Sequence, residues 1–249
     1  MFQYTDIFEI ISIFLPLIIV IGLTVVIWII GGRINKRTLR SIEAELERVV
    51  KGRIVDSLDV EGASAASMVF VGTPLIRDLR SFKTVVSLEE RHLLITFIFS
   101  LVSKPQDYVL FEANLPERPP VAIEIMPWRE KRLIEKNSKE LTKLELLEFR
   151  NEKFDEAFMV RASRRGAALE ILGDKELFKT LYQSREFLYW ISVDPKETPH
   201  LKVMGRWNKA VKLDKMAEIF LVLAKRTNES EYDKKKKTYG GKQKKEKSY

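Results

Sequence analysis

The chain has 249 residues, a formal net charge of +8 and no cysteine. The missing cysteine excludes disulfides, thiolate metal sites, iron–sulfur clusters and cysteine nucleophiles. The charge is uneven. Residues 1–32 carry −2, residues 33–53 carry +4, residues 54–224 balance to zero and residues 225–249 carry +6. A neutral body with basic ends points to contacts with acidic lipid or nucleic acid at those ends, not across the body.

Residues 10–30 form an almost unbroken apolar run, interrupted by Ser12, Pro16, Gly22 and Thr24. A hydrocarbon core needs roughly 20 apolar residues in a helix, so the run predicts a transmembrane helix. Trp28 stands near its end, where interfacial aromatics are favoured. Asp6 and Glu9 precede the run, and Arg33, Lys36, Arg37 and Arg40 follow it. No basic n-region or good cleavage site marks a signal peptide. The positive-inside rule then predicts an uncleaved single-pass anchor, with a short extracytoplasmic N-terminus (1–9) and the rest in the cytosol.

Ile34, Leu39, Ile42, Leu46 and Val49 recur near the helical period, which predicts a juxtamembrane helix over 33–52. Met68–Val71 and Phe82–Val86 read as strands separated by the turn-prone Gly72, Thr73 and Pro74. Ser87 followed three residues later by Glu90 has the form of a capping box, and predicts a largely buried helix over 88–103, ending before Pro105. Tyr108–Leu115 and Val121–Ile125 alternate around a Pro-rich break and read as a hairpin. Residues 128–141 are charged and helix-compatible. Leu144–Phe149 and Phe158–Ala162 read as strands, and Ala167–Leu172 as a short helix closed by Gly173. Asp174 can cap a further helix bearing Leu177, Phe178, Leu181 and Tyr182. Phe187–Val193 and Leu201–Trp207 read as paired strands. Leu213, Met216, Ala217, Phe220 and Leu223 define an amphipathic helix over about 211–226. The expected fold class is α+β: a transmembrane helix, then a mixed α/β domain over 54–228 with antiparallel strand pairs and a C-terminal amphipathic helix.

Residues 229–249 are dominated by Lys234, Lys235, Lys236, Lys237, Lys242, Lys244, Lys245 and Lys247. That composition predicts a disordered tail able to contact RNA or anionic lipid. Gly240, Gly241 and Lys242 follow no strand and form no phosphate-binding loop. No catalytic or metal-binding motif is present. His92 and His200 read as surface or boundary residues, paired carboxylates such as Glu89–Glu90 and Asp155–Glu156 as solvated faces, and Trp190 as core. Arg161, Arg164 and Arg165 form a basic cluster expected in a loop. No catalytic residue, metal or cofactor is expected.

The run from Arg91 through Leu94 to Ser103, Pro105 and Val109 resembles the leucine-rich helix, proline and strand of the calumin family, the coiled-coil-domain subunits of the PAT translocon-associated complex. The strand Val121–Met126 with the charged segment from Trp128, and the strand Leu201–Gly205 with the helix 211–226 and its Lys-rich extension, are similar to the family's later elements. The chain would be a short, archaeal-type relative, without a long acidic region before the span. The resemblance implies a non-enzymatic, chaperone-like role in membrane protein biogenesis. Its implied partners are the Sec translocon, other insertion factors, the ribosome and ribosomal RNA. Its membrane would be the cell membrane in an archaeon and the endoplasmic reticulum in a eukaryote. Two other readings fit the residues: a membrane-anchored scaffold whose tail binds anionic lipid headgroups, and a membrane-tethered enzyme.

Overall fold

The computed structural model describes residues 4–50, 53–59, 65–71, 79–103, 107–130, 135, 143–207 and 213–230. The expected turn at Gly72–Pro74, most of the charged segment 128–141 and the Lys-rich tail lie outside them.

Helix α1, Tyr4–Val50, is a single element of 47 residues, about 70 Å long at 1.5 Å per residue. The expected membrane and juxtamembrane helices are therefore one rod, which passes through Pro16. The rod has two halves. From Phe14 to Ile30 nearly every side chain is exposed. Beyond that, Gly31, Asn35, Leu39, Ile42 and Leu46 form a buried stripe at the three- and four-residue spacing of one helix face. Leu39, Ile42 and Leu46 belong to the domain core.

Among the described residues nine strands form one antiparallel sheet: β1 (Arg53–Asp59), β2 (Ala65–Val71), β3 (Ser81–Ser87), β4 (Asp107–Asn114), β5 (Ile123–Pro127), β6 (Glu145–Leu147), β7 (Phe158–Ala162), β8 (Leu188–Val193) and β9 (Leu201–Trp207). Their order is β1-β2-β3-β4-β9-β8-β5-β7-β6. The remaining helices are α2 (Leu94–Val102), α3 (Glu152–Ala157), α4 (Arg165–Leu172), α5 (Lys175–Ser184) and α6 (Leu213–Glu229). Strict alternation in β4 and β9 sends Val109, Phe111, Ala113, Leu201 and Val203 into the core, as a period of two requires. There they meet residues of α1, α4, α5 and α6. The rings of Phe82, Phe111 and Phe220 lie 5.2 to 5.8 Å apart and join β3, β4 and α6.

The local signals are realised in several places. The side chain of Asp174 accepts a hydrogen bond from Glu176 N at the start of α5, and Gly173 caps α4. The five residues that define the amphipathic stripe of α6 are all buried. Strands β8 and β9 pair, with Ile191 opposite Val203.

Four expectations are corrected. Strands β4 and β5 do not form a hairpin: β4 pairs with β3 and β9, and β5 with β7 and β8. The β8–β9 pair inserts between them, a long-range choice that alternation alone does not encode. The helix expected over 88–103 begins at Leu94, capped by Leu93 without a side-chain bond, and has no buried residue. Ser87 instead ends β3, paired with Tyr108, so the capping box does not form. The basic cluster at Arg161–Arg165 is a loop only at Ser163–Arg164: Arg161 lies in β7, and Arg165 opens α4 behind its cap Arg164. Trp190 lies outside the main core, against Met126 and Met159 on the other face of the sheet. Of the charged segment, Trp128–Glu130 is a short 3-10 helix.

Candidate functional site

Where α1 enters the domain, a buried polar cluster joins it to the turn ahead of α2. Asn35 Nδ2 donates to Glu89 O at 3.0 Å, and Arg91 Nη1 donates to Asn35 Oδ1 at 2.8 Å. Arg91 Nη2 donates to both carboxylate oxygens of Asp107, at 2.9 and 2.7 Å. Asp107 also accepts from Glu89 N at 3.0 Å. Asn35, Arg91 and Asp107 are all buried. Buried charges are tolerated when they are paired and hydrogen-bonded. The cluster therefore ties the rod, the α2 turn and β4 into one unit. Gly31 completes it: a Cβ there would lie 2.1 Å from Arg91 O and 2.6 Å from His92 N.

Helix α2 itself is almost wholly apolar, yet it stands exposed. Val102 is 89% exposed, Leu101 72%, Ile95 70% and Phe99 65%. It contacts α1. Arg33, Lys36, Arg37 and Arg40 are all exposed and lie on the side of α1 opposite its buried stripe. These four site residues thus project freely just past the apolar half of the rod. The eight tail lysines lie outside the described residues.

The sheet face opposite the core carries a second arrangement. In register across β3, β4, β9, β8, β5 and β7 stand Lys83, Glu112, Lys202, Ser192, Glu124 and Arg161. Lys83, Glu112 and Lys202 alternate in sign across neighbouring strands, which favours cross-strand pairing, and Ser192 separates them from Glu124 and Arg161. Glu124 accepts from Ser192 Oγ at 2.7 Å and from Trp190 Nε1. Burial pushes its carboxyl up to about 7, against those two hydrogen bonds, and the charges of Asp194 and Glu197 add to the rise. Beside this row, Leu110, Met204 and Trp190 are matched in register, followed by Met126 and Met159. Further along, Glu130 is buried and held by Arg206 at 2.7 Å and Arg129 at 3.1 Å. This is a surface suited to binding.

Between α3 and α5 a cleft of about 370 Å³ is lined by Asn151, Lys153, Lys175, Lys179 and Tyr182 over Phe154 and Phe178. His200 Nδ1 accepts from Leu115 N at 3.2 Å. Burial, Arg118 and Arg80 hold its pKa below the usual value. Asp155 accepts from Phe149 N and Asn151 N, so it orders a turn and is more than a solvated carboxylate. Among the described residues no group of three or more His, Asp or Glu side chains could hold a metal ion.

Sequence reasoning missed Gly31, Asn35, Arg91, Asp107 and Glu124. A helical glycine followed four residues later by Asn, in line with Leu39, was a signal for the first two. Arg91 meets Asp107, and Glu124 meets Ser192 and Trp190, only through long-range folding.

No protein-family model matches the chain, and no curated protein does. Among solved structures it is similar to the mycobacterial trehalose monomycolate transport factor A, TtfA. That match has 10% identity and a TM-score of 0.37, and covers 80% of this chain and 92% of that one. A likeness of this degree carries no argument about function. Among the described residues, one helix, α1, is long and apolar enough to cross a membrane.

Proposed function

We propose that the chain is a non-enzymatic, membrane-anchored adaptor that assists the insertion or folding of multipass membrane proteins at the ribosome and translocon, as its resemblance to the calumin family implies. The observation that supports this reading best is the division of α1. Its exposed apolar half has the length and composition of a span, and its other half is built into the domain core. A continuous helix with a buried stripe holds the domain at a set distance beneath the bilayer, where an emerging membrane protein would pass. The Lys-rich tail reaches phosphate-rich ribosomal RNA and gains from counterion release.

The test is co-sedimentation of ribosomes with gently solubilised membranes at low and moderate salt. Retention of ribosomes by the full chain, lost when residues 229–249 are deleted, is the expected result. Absence of ribosomes at every salt concentration overturns the reading.

The exposure of Arg33, Lys36, Arg37 and Arg40 favours one alternative, a scaffold held to anionic lipid. In that case acidic vesicles bind the chain as well as RNA does, and neutralising these four residues weakens the vesicle binding.

A further inference from the structure

Helix α2 lies beside the apolar half of α1. Its turn meets Gly31 through Arg91 and His92. Ile27, one turn back towards the N-terminus, is buried although it belongs to neither core cluster. Two helices touch α1 most, α2 and α6, and α6 bonds to it at Glu45 and Arg48, about five turns further along. The cover over Ile27 is therefore α2.

We infer that α2 is a second membrane-embedded element, a short helix inserted beside α1 into the acyl chains of one leaflet. The inference rests on α1 being a membrane anchor. Four observations carry it. The exposed large side chains of α2 are apolar, as are those of the half of α1 that ends where the α2 turn meets Gly31. From Leu93 to Ser103, up to Lys104, no residue is Asp, Glu, Lys, Arg or His, and Arg91 just ahead is compensated by its buried pair with Asp107. Both serine hydroxyls bond back into the helix, as a water-free environment favours: Ser100 Oγ donates to Phe97 O at 2.7 Å and Ser103 Oγ to Phe99 O at 2.8 Å. Thr24 Oγ1 does the same on α1, donating to Val20 O at 2.8 Å. Finally, the contact at Gly31 levels the start of α2 with the start of the basic collar at Arg33, the region where headgroups would lie.

The length fits. Nine residues span about 14 Å, which is roughly half of a 30 Å hydrocarbon core. A helix apolar on all sides is better matched to surrounding hydrocarbon than to a protein partner that would cover one side and leave the other wet.

The cysteine-free chain allows a direct test. Single-cysteine variants Ile19→Cys, Phe99→Cys, Val102→Cys and Leu146→Cys of the full chain are labelled with an environment-sensitive fluorophore and reconstituted into liposomes. Quenching is compared between spin-labelled lipid and aqueous iodide. The expected result is lipid quenching at 19, 99 and 102, with iodide quenching at 146, an exposed leucine on the domain. Iodide quenching at 99 and 102, with lipid quenching kept at 19, overturns insertion of α2 while the anchor stands. It would also leave α2 as a surface for apolar protein segments. Iodide quenching at 19 as well overturns both readings. Circular dichroism of each variant checks that the fold is intact.

Discussion

Gly31 and Arg91 touch backbone to backbone: a methyl group on Gly31 would lie 2.1 Å from the Arg91 carbonyl oxygen. That separation is far inside van der Waals contact, and both partners are held, Gly31 by its helix and Arg91 by Asn35 and Asp107. The rod and the domain can approach this closely only through glycine.

Gly31→Ala should therefore separate α1 from the α2 turn and destabilise the domain by about 1–3 kcal/mol, the range for overpacking. Gly22→Ala and Gly32→Ala are matched controls, because a Cβ at either meets nothing within 4 Å. Those two should be neutral or gain up to about 1 kcal/mol of helix propensity. Thermal unfolding of the detergent-solubilised protein separates the three variants.

Removing one partner of the Arg91–Asp107 pair leaves a buried charge without compensation. Arg91→Ala or Asp107→Ala should cost about 3–5 kcal/mol, and replacing both by apolar residues of similar volume should cost much less. Chemical denaturation of the four proteins, wild type included, gives the coupling energy. A double-variant loss equal to the sum of the two single losses would show that the pair is not the source of the stability.

Glu124 supplies a pH dependence with a definite sign. Its folded pKa of about 7 lies above the ordinary carboxyl value of 4.5. The folded state therefore binds the proton more tightly than the unfolded state. Its contribution is fully favourable below about pH 4.5, is lost as pH rises to 7, and stays lost above that. Glu124→Gln removes the charge and keeps one acceptor oxygen for Trp190 Nε1, while the Ser192 hydroxyl can rotate to accept from the new amide NH2. It should raise stability at pH 8 by up to about 2–3 kcal/mol and change it little at pH 4. Denaturation midpoints at the two pH values check this.

Phe220 bridges Phe82 and Phe111, and so fastens α6 to the sheet. Phe220→Ala should cost about 3–5 kcal/mol. Hydrogen exchange should then rise in α6 and along β3 and β4, with smaller changes at β5 and β7 on the far side of the sheet.

Much of this molecule could be read from local chemistry. The apolar run and the bases behind it define the span-like half of α1 through length and charge, which need no partner. Asp174 caps its helix through a bond two residues away, and the stripe of α6 follows from periodicity. These signals act within a turn or two of the chain. Only tertiary structure decided the rest. Pairing of β4 with β9 rather than β5 depends on which distant strand offers the better buried face. Pairing of β3 with β4 sets Asp107 beside the turn that holds Arg91, and pairing of β5 with β8 sets Ser192 opposite Glu124, turning ordinary-looking residues into a buried latch and a perturbed carboxyl. The apolar sequence of α2 announced burial. Whether the cover was protein core or an exposed position beside α1 depended on where the α2 turn was anchored, and Gly31 and the latch anchor it at the edge of the domain, where the core has no room to enclose it.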